Sequence, residues 1–305
     1  MLKIWLGAAM TLLCAAAGTY SSPATAGVVV TVDGNIAHAA ISLDNGIGAI
    51  YEAEVTITFD SPLNLNPDSL NLTAQLVDPS DSALRARLPG CGLLQPPNCV
   101  SVSPAFPMLI TVEPPDFGWL FKSGFDGSEN GTGDLSFLNT YQFEVHTHNL
   151  VYTPNSPYRL FKAPIGGLFD DVTEDVLSGS VRTRGRGGAF SQFLTVADTR
   201  PLLGVALGKI VALDLRILAA SLNSLLRGDL IALIGQVQLL VLVDVGAAIA
   251  ALDSLIAEIN LHAGIDIANI WRSEHDVIND SGEMLSLAQT LRFTLVRLQG
   301  GTTPP

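Results

Sequence analysis

The chain has 305 residues, 48% of them hydrophobic and 15% charged, and 16 Lys and Arg stand against 29 Asp and Glu for a formal charge of −13. That balance repels nucleic acid and anionic membrane surfaces, so neither is expected as a partner. The length allows two modest domains with cores of their own.

Lys3 gives the N-terminus a positive charge, residues 4–13 are mostly apolar, and Ala24-Thr25-Ala26 supplies small residues at the two positions a signal peptidase reads. Residues 1–26 are therefore expected to be a secretory signal peptide, cut before Gly27 and too short to stay as an anchor. Lipoprotein processing at Cys14 is disfavoured, because the preceding Leu13 is not small. The mature chain is then periplasmic or secreted, and loss of Lys3 takes its formal charge to about −14. Two cysteines remain, Cys91 and Cys99, separated by seven residues. An even pair in an exported chain reads as a disulfide; a thiolate metal site would favour CxxC spacing and a nearby His.

Up to Pro201 the pattern is that of strands. Residues 28–32 form a β-branched run, and residues 51–59 alternate with Ala53, Val55, Ile57 and Phe59 on one face and Glu52, Glu54, Thr56 and Thr58 on the other. Residues 70–77 alternate again, with Leu70, Leu72, Ala74 and Leu76 inward. Residues 108–112, 141–152 and 178–184 are further predicted strands. Turns rich in Pro, Gly, Asn and Asp separate them, which points to an antiparallel sandwich and not to βαβ units.

Beyond Pro201 the sequence becomes rich in Leu, Ala, Ile and Val. From residue 202 to 227 the polar residues Lys209, Arg216, Asn223 and Arg227 recur as one stripe opposite leucines and isoleucines, which predicts an amphipathic helix. Gly228-Asp229 reads as a stop and a new N-cap, followed by a second helix over residues 230–261. A connector containing Trp271 spans residues 265–281, and a third helix starts at Asp280 or Ser281, with Leu285, Ala288, Leu291, Leu295 and Leu298 on one side. The second helix, apolar on most sides, is expected to be central. Residues 230–243 carry no charge, but they include Gln236 and Gln238 and are closed by Asp229 and Asp244. A membrane span needs about 20 apolar residues, so no transmembrane anchor is expected after signal cleavage. The predicted class is α+β: an N-terminal antiparallel β-sandwich-like domain over residues 27–200, a C-terminal three-helix domain over residues 201–299, and a disordered tail over residues 300–305.

Four groups of residues offer chemistry. Glu144, His146 and His148 lie at i, i+2 and i+4 on one strand face, and two His at that spacing can share a metal ion if another strand completes the set. The alternative is an ordinary polar strand face. Asp126, Ser128, Asn130 and Asp134 fall at calcium-loop positions, but Phe137 stands where a bidentate Glu belongs, and a polar turn explains the same residues. Arg182, Arg184 and Arg186 alternate and could hold an anion or a sugar acid; pairing with the acidic stretch Asp170, Asp171, Glu174 and Asp175 is the simpler explanation. Trp119 and Phe121 suit either an aromatic ligand platform or core packing.

No enzyme constellation emerges. Ser273-Glu274-His275-Asp276 contains the letters of a hydrolase triad, yet consecutive residues cannot converge on one reacting atom. GxSxG, HExxH, a phosphate loop and a dinucleotide fingerprint are all absent from the sequence. No motif requires a cofactor.

The segments Glu144-Val-His-Thr-His-Asn-Leu-Val-Tyr152, Pro157-Tyr-Arg-Leu-Phe-Lys-Ala-Pro164, Phe190-Ser-Gln-Phe-Leu-Thr-Val-Ala-Asp-Thr-Arg-Pro201 and Thr290-Leu-Arg-Phe-Thr-Leu295 resemble segments of an uncharacterised family of exported bacterial proteins. The resemblance implies export and carries no activity. The expected role is non-enzymatic binding or structure outside the cytoplasm. A metal-dependent site around His146 and His148, or a carbohydrate- or anion-binding module, is the alternative. A homo-oligomer or a protein partner is expected through the helical domain.

Overall fold

The computed structural model describes residues 27–90, 99–115 and 134–300. The expectations for the signal peptide, Cys91, Trp119, Phe121, residues 301–305 and three calcium-loop positions (Asp126, Ser128 and Asn130) fall outside these residues.

Two antiparallel sheets face each other, and helices follow in the C-terminal part, an α+β fold. The first sheet contains β1 (Gly27–Asp33), β2 (Ile36–Asp44), β3 (Ile50–Leu63), β7 (Ser136–Val151), β11 (Ser180–Gly187) and β10 (Thr173–Leu177), in that spatial order. A short strand, β13 (Ile270–Arg272), joins the start of β7. The second sheet runs β4 (Leu72–Leu76), β6 (Met108–Val112), β12 (Gln192–Asp198), β8 (Tyr158–Ala163), β9 (Asp170–Asp171), with β5 (Val100–Val102) also on β12.

Alternation in β3 places Ala53, Val55, Ile57 and Phe59 in the core, facing Ile110, Leu160 and Phe193 from the second sheet. At one end the core is aromatic: Phe59, Phe137, Tyr141, Phe190 and Trp271 pack with ring centroids 4.5–6.1 Å apart. The Tyr141 hydroxyl donates to the Ala189 carbonyl at 2.6 Å, so the buried phenol is satisfied. Trp271, predicted in a connector, is thus a core residue on a strand. The second sheet buries its other face as well, where Phe161, Leu194 and Val196 meet Leu84 from α1 (Ser82–Ala86).

The C-terminal part holds four helices where the sequence predicts three: α2 (Leu202–Ala219), α3 (Ser224–Leu240), α4 (Val245–His262) and α5 (Asp280–Leu298). They form a ring, α2 against α3, α3 against α4, α4 against α5 and α5 against α2. Gly228-Asp229 lies inside α3 and does not stop the chain. The breaks come earlier and later, where Asn223 caps α3 by accepting from Leu226 N–H at 2.9 Å and Asp244 caps α4 by accepting from Ala247 N–H at 3.0 Å. As one of four, α3 is a corner helix. It buries one stripe, Leu226, Leu230, Ile234 and Val237, and leaves Leu225 and Leu239 exposed, so the central position predicted for it is not what forms. Val245–His262 has a mean hydropathy of 1.3 over 18 residues, the length and apolarity of a membrane span and equally of a core helix. Its Ala248, Leu252, Leu255 and Ile259 face the other helices.

The polar stripe of α2 also lies opposite to its predicted side. Lys209 points inward, where its ammonium donates to Asp171 Oδ2 at 2.6 Å, Thr290 Oγ1 at 2.6 Å and Thr294 Oγ1 at 2.8 Å. Arg216 pairs with Asp280 at the start of α5. Acceptors from β9 and α5 offset the cost of burying these cations. Val211, Leu215 and Leu218 face solvent instead.

Helix α5 ties the bundle to the sandwich by packing on β10, β11 and β7. The close approach needs glycine: a Cβ on Gly188 would lie 2.6 Å from Glu283 N, and one on Gly282 would lie 2.4 Å from the Asn139 carbonyl oxygen. Asn279 caps α5 by accepting from Gly282 N–H at 2.9 Å, while its amide donates to the carbonyls of Asn139 at 2.6 Å and Gly188 at 3.1 Å.

Candidate metal centre

The polar face of the first sheet is a set of cross-strand rows. Strand β7 lies between β3 and β11, and the register sets Glu54, His146 and Arg182 side by side in one row and Thr56, Glu144 and Arg184 in the next. Residues that are distant in sequence thus become neighbours through pairing alone.

His148 is placed by a break in this ladder. On β11, Val181 pairs with Thr147 and the adjacent Ser180 with Val151, so His148, Asn149 and Leu150 bulge out of β7. Asn149 secures the bulge, its side chain accepting from Glu52 N–H at 3.2 Å and its own N–H donating to Thr147 Oγ1 at 3.1 Å. A bulge re-aims side chains, and here the His148 ring leans toward His146, with ring centroids 4.5 Å apart. Glu54 approaches from the other side, its Oε2 3.0 Å from His146 Nδ1. One ligand atom from each of Glu54, His146 and His148 lies within 4.8 Å of the other two.

The three differ in exposure in a useful way. The His146 side chain is 10% exposed and the Glu54 side chain 69% exposed, so one ligand is fixed in the sheet and the others open to solvent. The second nitrogen of His146, Nε2, is hydrogen-bonded to the Ser180 hydroxyl. Ser180 can accept from an Nε2–H, which leaves the Nδ1 lone pair facing Glu54. Metal-bound histidines are held in this manner, with the non-ligating nitrogen engaged by a neighbouring acceptor. Without metal, a proton on Nδ1 can be donated to Glu54 while the Ser180 hydroxyl turns to donate to Nε2. The hydrogen bond to His146 is the largest influence on the Glu54 carboxyl; burial opposes it, the charges of His146, His148 and Arg182 add to it, and the net effect holds the acid below its ordinary range. The acid is therefore ionised and ready to ligate over a wider pH range.

Two imidazoles and a carboxylate suit zinc and its neighbours in the transition series, and three protein ligands leave at least one position for solvent or a further ligand. The sequence singled out His146 and His148 and required a ligand from another strand. Glu54, on β3, brings a third candidate ligand atom to the pair. Its only signal in the sequence is its place on the polar side of an alternating strand, since nothing local reveals that β3 pairs with β7. Glu144, on the same face as the histidines, is engaged elsewhere: Arg184 donates to its Oε2 through Nε at 3.0 Å and Nη2 at 2.6 Å.

The other predicted sites are not drawn together. Arg186 pairs with Glu174 at 2.7 Å, Arg184 pairs with Glu144, and Arg182 is exposed beside His146, so the three arginines do not converge. Asp134 is the one calcium-loop position among the described residues. Cys99 is buried next to β5, and the proposed partner Cys91 lies outside the described residues. In the Ser273-Glu274-His275-Asp276 segment, Ser273 is buried, and His275 packs edge-on against Trp271 with centroids 5.5 Å apart.

No curated protein and no solved structure matches the chain. Residues 9–299 match a family of unknown function, DUF6689, so strands and helices alike fall within one family pattern and the chain belongs to that family.

Proposed function

We propose that the protein is exported and acts without catalysis as a binding protein, holding a divalent transition metal at Glu54, His146 and His148. The observation that carries this reading is the convergence of the three ligand atoms from two strands, with the buried histidine's second nitrogen bonded to Ser180. A chance polar strand face would not be expected to orient the second nitrogen as well. Cleavage before Gly27 and a Cys91–Cys99 disulfide belong to the same reading of an exported chain. Self-association would use the helical part, where Val211, Leu215, Leu218 and Leu225 stand exposed and a second copy could cover them.

Zinc titration of the mature chain by calorimetry tests the site. One zinc per chain is expected, with binding at least about tenfold weaker in His148→Ala and in Glu54→Gln. Substoichiometric zinc, or variants that bind like the parent, would overturn the assignment. Ligating imidazoles must lose a proton, so affinity falls as the solution is acidified.

A further inference from the structure

A second cluster lies between the sandwich and α5. Tyr152, Asn155, Ser156, Arg159, Val176, Phe293 and Arg297 line a shallow crevice open to solvent. Two arginines meet there on one aromatic ring: the guanidinium carbons of Arg159 and Arg297 lie 5.3 and 5.7 Å from the Phe293 centroid. Arg159 is 4% exposed. Its Nη1 donates to the backbone carbonyls of Ser156, at 2.8 Å, and Tyr158.

Arg184, Arg186, Arg200 and Arg216 pair with Glu144, Glu174, Asp198 and Asp280. Among the described residues, neither Arg159 nor Arg297 has a carboxylate within ion-pair distance. Arg85, Arg87, Arg182 and Arg227 also lack a carboxylate partner among the described residues, but Arg159 is the one arginine there that is buried, and it shares its ring with a second unpaired cation. Burial lowers the Arg297 pKa, with no neighbouring acid opposing it. A chain carrying 29 acidic residues leaves these two buried or half-buried guanidinium groups without one. Burying a charge is costly unless a counter-ion meets it, and guanidinium forks match oxyanions in geometry as well as in charge.

We infer that the crevice formed by Arg159, Arg297 and Phe293 binds a small oxyanion group, a carboxylate or a phosphate, distinct from the metal site and from Arg182, Arg184 and Arg186. The backbone carbonyls hold Arg159 in place, Arg297 closes from α5, and Phe293 keeps the two guanidinium groups in register by cation–π contact.

The test uses the full mature chain at constant ionic strength. Acetate and inorganic phosphate are titrated separately, and the arginine Nε–H and Phe293 ring signals are followed by NMR, with chloride as the control anion. Saturable shifts of Arg159, Arg297 and Phe293 with either probe are expected, and the tighter of the two identifies the oxyanion. Arg297→Gln should weaken binding at least tenfold, whereas Arg272→Gln, the same charge loss at an exposed surface pair, should leave it unchanged. Absence of saturable shifts with both probes, shifts equal to those in chloride, or unchanged binding by a folded Arg297→Gln would overturn the inference.

Discussion

The outer face of the first sheet and the inner face of α2 both gather charged side chains, at opposite depths. On the sheet, Glu54 and His148 stand in solvent beside a buried His146, and only Glu54 and His146 are hydrogen-bonded within the trio, at 3.0 Å. On α2, Lys209 is enclosed, its ammonium surrounded by Asp171, Thr290 and Thr294. The closed cluster has no donor left over for a ligand and serves to lock α2 and α5 to the sandwich. The open cluster keeps two of its three side chains in solvent. A polar group thus becomes a binding site by what it leaves unsatisfied and accessible, more than by its charge.

The largest expected effect breaks the closed cluster. Lys209→Met leaves Asp171 buried without its cation and should cost about 3–5 kcal/mol in urea unfolding. Adding Asp171→Asn, which removes the orphaned charge, should recover most of that loss. Loss below about 1 kcal/mol in the single variant would mean that Lys209 reaches solvent.

Zinc should come next. If the open cluster binds metal in the native state only, free zinc at roughly 100 times its Kd raises unfolding free energy by about 2.7 kcal/mol. In His148→Ala that gain should fall by at least about 1.3 kcal/mol, while zinc-free stability changes by less than about 0.5 kcal/mol, as befits an exposed side chain. A large zinc-free loss would put His148 among the structural residues.

Asn279→Ala removes the α5 cap and both bonds to the sandwich, and should cost about 2 kcal/mol by the same unfolding measurement. Smallest of all is Leu239→Ser. Leu239 is 74% exposed on α3, so the change should stay within about 0.5 kcal/mol for a monomer. A concentration-dependent loss would show that a second copy covers this leucine. With Lys209→Met, it makes the contrast concrete: in this bundle a lysine outweighs a leucine.

The same contrast explains what could be read from the sequence. In β3 the period of two is unambiguous, and Ala53, Val55, Ile57 and Phe59 lie where alternation puts them. The histidine pair was legible for the same reason, as i and i+2 on a strand. Glu54 was not, because its pairing with His146 spans 92 residues. The polar stripe of α2 was visible, but its direction was not: the acceptors for Lys209 and Arg216 come from Asp171 and Asp280, 38 and 64 residues away. Polar side outward is a default that distant partners can reverse. The break between α3 and α4 is hidden in the sequence because Asp244 there looks like the flank of an apolar run, whereas its side chain caps a new helix.

The central claim, that the outer sheet face is a metal site, is tested most directly by locating zinc in crystals of the mature protein through its anomalous scattering. The account predicts one peak between Glu54, His146 and His148, with ligand distances of about 2.0–2.2 Å and the Ser180 hydroxyl still bonded to His146. Zinc-soaked crystals with no peak there, or with peaks only at other surface carboxylates and histidines, would contradict it.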